Sequence, residues 1–166
     1  MADTNLTSAR LRERLHYDPD TGIFTWIQPS KYRGTDHVGG VAGFCSKGGY
    51  LSVMLDGKSY LAHRLAWFYE FDAWPGGDID HKNGLTIDNR IANLRDVSTS
   101  TNCENRRGPT KFNKSGFLGV SPQNDKWKAG LRVKGVYHYL GLFDDPAVAH
   151  DIYLQAKRKL HEGCTI

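Results

Sequence analysis

The chain has 166 residues, 39% hydrophobic and 24% charged, which puts it among globular proteins and excludes disordered, collagen-like or membrane-spanning composition. Its formal net charge of +4 favours an anionic partner only mildly, but the charge is unevenly spread. Residues 1–67 carry 8 Lys/Arg and 6 Asp/Glu, residues 68–104 carry 3 and 7, and residues 105–166 carry 11 and 5, so an acidic middle lies between basic flanks.

Eighteen glycines and 11% aromatic residues favour short strands and turns over a long helical bundle. Cys45, Cys103 and Cys164 are odd in number and far apart, which argues against a disulfide framework and a structural zinc site. No apolar run approaches the ~20 residues of a membrane span. Met1 to Leu15 lacks the apolar core of a signal peptide, and a soluble protein in a reducing, cytoplasmic setting is expected.

In chain order, Thr7 can cap a helix with Leu6 and Leu11 at the staple positions, and Leu11 and Leu15 share its face. The helix should stop at the turn Tyr17 to Gly22. Strands are predicted over Ile23 to Ile27 and Tyr50 to Leu55, with a glycine-rich loop from Gly39 to Gly49 between them. Asp56-Gly57 is a two-residue hairpin signal that pairs Tyr50 to Leu55 with Lys58 to Ala62. Leu61, Leu65 and Phe68 recur at helical spacing, so His63 to Phe71 reads as a helix ended by Trp74-Pro75-Gly76-Gly77.

The next stretch, Gly76 to Arg107, carries the chemistry. Asp80 and His81 are adjacent, Asn93 follows His81 by twelve residues, and Asn102 follows Asn93 by nine. Phosphodiester hydrolysis needs an activated water, a cation beside the phosphoryl oxygens, and a stabilised leaving oxygen. His81 suits a general base near neutral pH, and the oxygens of Asp80 and Asn102 suit Mg²⁺ or Mn²⁺ better than Zn²⁺. Asn93 can accept a hydrogen bond from the other imidazole nitrogen and fix its tautomer. Asp80 and His81 reach one site only if their strand ends or twists there, and Lys82-Asn83-Gly84 provides that break. Leu94 to Val97 is then the return strand, and Ser98 caps a short helix carrying Asn102.

Residues 106 to 115 form a basic linker whose Arg106, Arg107, Lys111 and Lys114 can track a phosphate backbone. Beyond it, Trp127, Ala129, Leu131 and Val133 alternate with Lys126, Lys128, Gly130, Arg132 and Lys134, a strand with one apolar and one basic face. A second strand, Val136 to Phe143, sets Tyr137 and Tyr139 on one face. Asp145-Pro146 opens a helix whose buried stripe is predicted as Ala149, Ile152, Ala156 and Leu160, leaving the basic, tyrosine-bearing face open.

Two resemblances follow from these residues. The pattern I-D-H-x-N-G, then D-N-R-x-x-N-L-R, then N-x-x-N-R, resembles the HNH endonucleases of phages and mobile introns, with their ββα-metal fold. The resemblance implies that Asp80 and Asn102 hold the metal, His81 activates water and Asn93 orients His81; Asn89 and Asn105 match the pattern too and are read as structural. Leu118-Gly119-Val120, Lys126 to Arg132 and Tyr139 to Asp144 resemble the ethylene-response-factor type of DNA-binding domain, which implies DNA contacts at Arg132 and Tyr139.

The expected architecture is α+β: an N-terminal helix and strand segment over 1–62, a ββα-metal nuclease core over 63–107, the linker 108–115, and a three-stranded sheet plus one helix over 116–163. The expected function is metal-dependent cleavage of double-stranded DNA by a monomer or weak dimer with no small-molecule cofactor. A non-catalytic sequence-specific DNA-binding protein and a non-specific nuclease are the alternatives.

Overall fold

A computed structural model describes residues 6–28, 38–46 and 48–166. It has the expected α+β class, in two compact units, Met1–Val97 and Ser98–Ile166. Among the described residues no helix is long and apolar enough to cross a membrane.

In the first unit, helix α1 (Ser8–Arg14) starts at Thr7, whose hydroxyl accepts a hydrogen bond from Arg10 N at 3.1 Å. Leu6 and Leu11 are both buried, as the staple requires. The helix is shorter than its spacing suggests. Leu15–Asp18 is strand β1, paired antiparallel with β2 (Ile23–Trp26). Leu15 lies four residues after Leu11, as in a helix, but Leu15 and Tyr17 are buried while His16 is exposed, which is the two-residue period of a strand.

The glycine-rich stretch is not all loop. Val41 bridges to Thr25, and β3 (Phe44–Cys45) pairs with β4 (Leu51–Leu55); Lys47 lies outside the described residues. Strand β5 (Lys58–Leu61) completes a sheet of order β3-β4-β5. Asp56 and Gly57 make the expected two-residue turn, both with positive φ (48° and 81°). Helix α2 (Ala62–Phe71) buries Ala62, His63, Leu65, Ala66 and Phe68. Strands β6 (Asp78–His81) and β7 (Leu94–Val97) form a separate antiparallel hairpin, with Asp80 opposite Arg95 and His81 opposite Leu94. One core joins these pieces through Leu11, Leu15, Tyr17, Phe24, Val53, Leu65, Ile79 and Leu94.

The second unit begins with α3 (Thr99–Glu104), capped by Ser98, whose hydroxyl accepts from Thr101 N. The boundary between units therefore falls inside the stretch 63–107, and α3 groups with the C-terminal part of the chain. Strands β8 (Val120–Gln123), β9 (Lys126–Val133) and β10 (Val136–Phe143) form an antiparallel sheet of order β10-β9-β8. Helix α4 (Pro146–Leu160) starts as read: Asp145 accepts from Ala147 N at 2.7 Å and Pro146 takes the first position. Its buried stripe is Ala149, Tyr153 and Lys157, whereas Ile152 and Ala156 are half-buried and Leu160 is exposed. Two contacts rotate the helix this way. Tyr153 packs on Gly119, where a Cβ would lie 2.0 Å from the ring, and the Lys157 ammonium donates to the Arg106 carbonyl.

Candidate active site

The β6–β7 hairpin buries Asp80 and His81, each only 5% exposed, and gives each its own partner. The Asp80 carboxylate faces its cross-strand neighbour: Arg95 Nε and Nη2 donate to the same oxygen, Oδ2, at 2.8 and 2.6 Å. His81 ends the strand. Gly84 N donates to the His81 carbonyl at 2.8 Å, and Gly84 takes φ 74°, so Lys82-Asn83-Gly84 turns the chain where the sequence suggests.

The loop between the strands is held by amides. Asn93 Oδ1 accepts from Asn83 N at 3.0 Å, Asn93 Nδ2 donates to the Asp88 carbonyl at 2.8 Å, and the Asn93 carbonyl accepts from Lys82 N at 2.9 Å. Asn93 thus pins both arms of the loop. The Asp88 carboxylate receives Arg90 Nε and Nη2 and Asn83 Nδ2, and the Arg90 hydrogen bonds chiefly hold its pKa down to about 2.

The amide that meets the imidazole side-on is Asn89, which the sequence reading takes as structural. Its Oδ1 lies 3.0 Å from His81 Nε2, and the residue is 1% exposed. With that oxygen as acceptor Nε2 carries the hydrogen, and Nδ1 of the neutral ring holds the lone pair. The first hairpin braces Asn89. Tyr17 Oη donates to the Asn89 carbonyl at 2.7 Å, and Ile91 N donates to the Pro19 carbonyl at 3.2 Å. The turn also presses directly on this segment, because a Cβ at Gly22 would sit 2.4 Å from Arg90 N. Local sequence offers only one hint of this role, the place of Asn89 in the D-N-R part of the pattern.

Two rings flank the imidazole. The His63 ring stands 5.2 Å from that of His81 at 84°, and the Tyr50 ring lies 5.3 Å from His63 and 6.3 Å from His81. Burial pushes the His63 pKa down to about 4, helped by the neighbouring His81.

Among the described residues no group of three or more His, Cys, Asp or Glu can hold a metal ion. A multi-carboxylate or thiolate cage is therefore absent among them. Asp80 and Asn102 each carry a hard oxygen of the type that Mg²⁺ and Mn²⁺ take. Asn102 stands on α3 in the second unit, half-buried, with its backbone inside the capped turn.

In the second unit, Ala129 and Leu131 face α4, and Lys128, Gly130 and Arg132 face away. Tyr137 lies opposite Arg132 and is folded over Gly130, where a Cβ would be 2.1 Å from its hydroxyl. Lys128 Nζ and Arg132 Cζ lie 6.0 and 5.8 Å from the Tyr137 ring centre. A depression of about 470 Å³ opens here, lined by Asn113, Ser121, Lys128, Arg132 and Tyr137. Tyr139 is exposed on the same strand. The remaining expected cations are dispersed: Lys126 pairs with Asp144 at 3.0 Å, Lys134 with Glu162 at 2.9 Å, and Arg107 donates to Thr165 Oγ1 at 2.9 Å. Lys111 lies against the Phe112 ring, and Arg106 and Lys114 are exposed.

Comparison with known families gives one finding. The model of the HNH endonuclease family matches residues 60–103, a segment that holds His63, Asp80, His81, Asn93 and Asn102. The match supports a nuclease of the HNH type acting on DNA. Neither the curated proteins nor the solved structures contain a match.

Proposed function

We propose that this protein is a DNA endonuclease that hydrolyses phosphodiester bonds in the duplex, with His81 as general base. The observation that carries the reading is the buried His81–Asn89 pair inside the segment matched by the HNH endonuclease family. Asn89 holds Nε2–H, so the Nδ1 lone pair takes the proton of the attacking water. The P–O3′ bond then breaks, leaving 5′-phosphate and 3′-hydroxyl ends. Asn93 acts through the loop it pins, which fixes where Asn89 sits relative to the strand.

Asp80 and Asn102 are assigned to a divalent cation, Mg²⁺ or Mn²⁺, on the chemistry of their oxygens and on the family match that spans both. When bound, the ion neutralises charge on the phosphoryl oxygens. In the second unit the open sheet face is assigned to duplex DNA. Lys128 and Arg132 on either side of Tyr137 support that, and so does the resemblance of this sheet and helix to the ethylene-response-factor type of domain. Arg106, Arg107, Lys111, Lys114, Lys126 and Lys134 add phosphate contacts around it.

The test is incubation of the purified chain and Mg²⁺ with supercoiled plasmid bearing candidate targets. Nicked or linear product that disappears in His81→Ala, while a gel shift persists, supports the reading. A gel shift with no cleavage at any protein excess makes the chain a DNA-binding protein without nuclease activity.

A further inference from the structure

The residues between α3 and β8 read in sequence as a basic linker, but part of that stretch is a built element of the second unit. Thr110 to Asn113 is a turn, closed by Asn113 N on the Thr110 carbonyl at 2.9 Å. Asn113 then fastens it: its Oδ1 accepts from Ser115 N and Gly116 N, both at 2.9 Å, and its Nδ2 donates to the Phe117 and Val120 carbonyls at 3.0 and 3.2 Å. The turn is therefore held against the start of β8, and Asn113 itself lines the depression shared by Ser121, Lys128, Arg132 and Tyr137.

On this turn stands Phe112, 80% exposed, the most exposed large apolar side chain among the described residues. Single apolar residues on a surface are common, and exposure alone signals nothing. Two further features give this one a meaning. Lys111 and Lys114, both exposed, flank the ring, within a stretch from Arg106 to Ser115 that has four basic residues and no acid. Lys111 Nζ lies 4.9 Å from the ring centre, so cation and ring are presented together. An apolar ring on a fastened turn between two ammonium groups fits a duplex: phosphates take the cations, and the ring leaves water by entering a base step.

We infer that Phe112 is a wedge that inserts between base pairs of duplex DNA beside the basic sheet face, with Lys111 and Lys114 on the flanking phosphates. This rests on the assignment of that face to DNA. Insertion unstacks the step and bends the duplex. It also changes the twist, so plasmid circles relaxed around bound protein keep a linking difference. Phe112→Ala removes the wedge and Phe112→Leu keeps an apolar one, each in the full chain. Three properties are compared with the parent: duplex affinity by gel shift over a range of salt, melting temperature, and the linking number of closed plasmid relaxed by a metal-independent topoisomerase at saturating protein. A chelator keeps the circles uncut.

Expected for Phe112→Ala is an affinity loss of about 10-fold, with the melting temperature of the parent and no linking difference. Its slope of affinity against salt stays that of the parent, because the ring releases no counterion. Lys111→Ala should instead lower that slope by about 1. Phe112→Leu should bind within about threefold of the parent, since leucine also serves as a wedge. A Phe112→Ala variant that binds like the parent, melts below it or retains the linking difference overturns the inference. So does a Phe112→Leu variant that falls as far as Phe112→Ala, or a parent that binds and leaves no linking difference. A parent chain that shifts no duplex at all defeats the reading of the sheet face, and the wedge with it.

Discussion

Arg95 faces Asp80 directly across the β6–β7 hairpin and places two guanidinium nitrogens on a single carboxylate oxygen. Asp80 is almost fully buried and Arg95 partly so, a setting in which removing one partner costs more than removing both. Arg95→Met should therefore destabilise the first unit by about 1–3 kcal/mol, while Asp80→Asn combined with Arg95→Met should lose less than the sum of the single variants. Urea unfolding of the four proteins in the cycle measures this. Strict additivity would show that the pair contributes nothing specific to the hairpin.

Asn93 is expected to matter through the loop. Its amide satisfies Asn83 N and the Asp88 carbonyl, and Asn93→Ala leaves both half-buried groups without that partner. The variant should lose about 1–3 kcal/mol of local stability and cleave at least tenfold more slowly, with DNA affinity nearly unchanged. Hydrogen exchange at the Asn83 amide reads the loosening directly, and protection equal to that of the parent would contradict the assigned role.

The buried His63 gives the fold a pH dependence of known sign. Unfolded, the imidazole titrates near its ordinary 6.5; folded, burial holds it at about 4. Between those values the unfolded chain binds the extra proton, so stability is fully present above about pH 6.5 and falls as pH drops towards 4. The loss saturates near 3 kcal/mol on the scale of ~1.4 kcal/mol per pH unit. Denaturation of the parent and of His63→Phe across pH 4 to 7 should give a difference that grows on acidification, with the variant the more stable at the acid end. Parallel curves would refute the burial of a neutral histidine at this position.

Local chemistry made much of this fold legible. Asp56-Gly57, the Ser98 cap, the Asp145-Pro146 start and the alternation from Lys126 to Val133 each specify an element through neighbours in sequence, and each forms as read, with Lys134 falling in the turn beyond its strand. The misread pieces depend on distant partners. Leu15 lies at a helical spacing from Leu11 yet enters a strand because Trp26 pairs with it. The stripe of α4 turns towards Lys157 because the Arg106 carbonyl, far away in sequence, accepts its ammonium, and no rule about where lysines belong anticipates that. At the candidate site, Asp80 and His81 were legible as types and spacing. Their immediate partners Arg95, Asn89 and His63 were not, because each is brought in by strand pairing, loop closure or helix packing.

Two glycines of the second unit should respond in opposite ways to the same added methyl group. Gly119 has φ 76°, and its Cβ would lie 2.0 Å from the buried ring of Tyr153, which has no room to retreat. Gly119→Ala should cost about 2–4 kcal/mol and loosen α4 from the sheet, since it adds backbone strain to overpacking. At Gly130 the clash is instead with the hydroxyl end of Tyr137, a side chain that is 45% exposed and free to swing outward. Gly130→Ala should therefore leave stability within about 0.5 kcal/mol, as a surface change does. It should nevertheless move the Tyr137 ring from between Lys128 and Arg132, and if that face meets DNA the affinity should drop by about 1–3 kcal/mol, as for Arg132→Ala. Thermal melts separate the two glycines, and gel shifts on the two stable variants decide the role of the face. Binding isotherms for Gly130→Ala and Arg132→Ala that superimpose on the parent would show the face to be merely solvated.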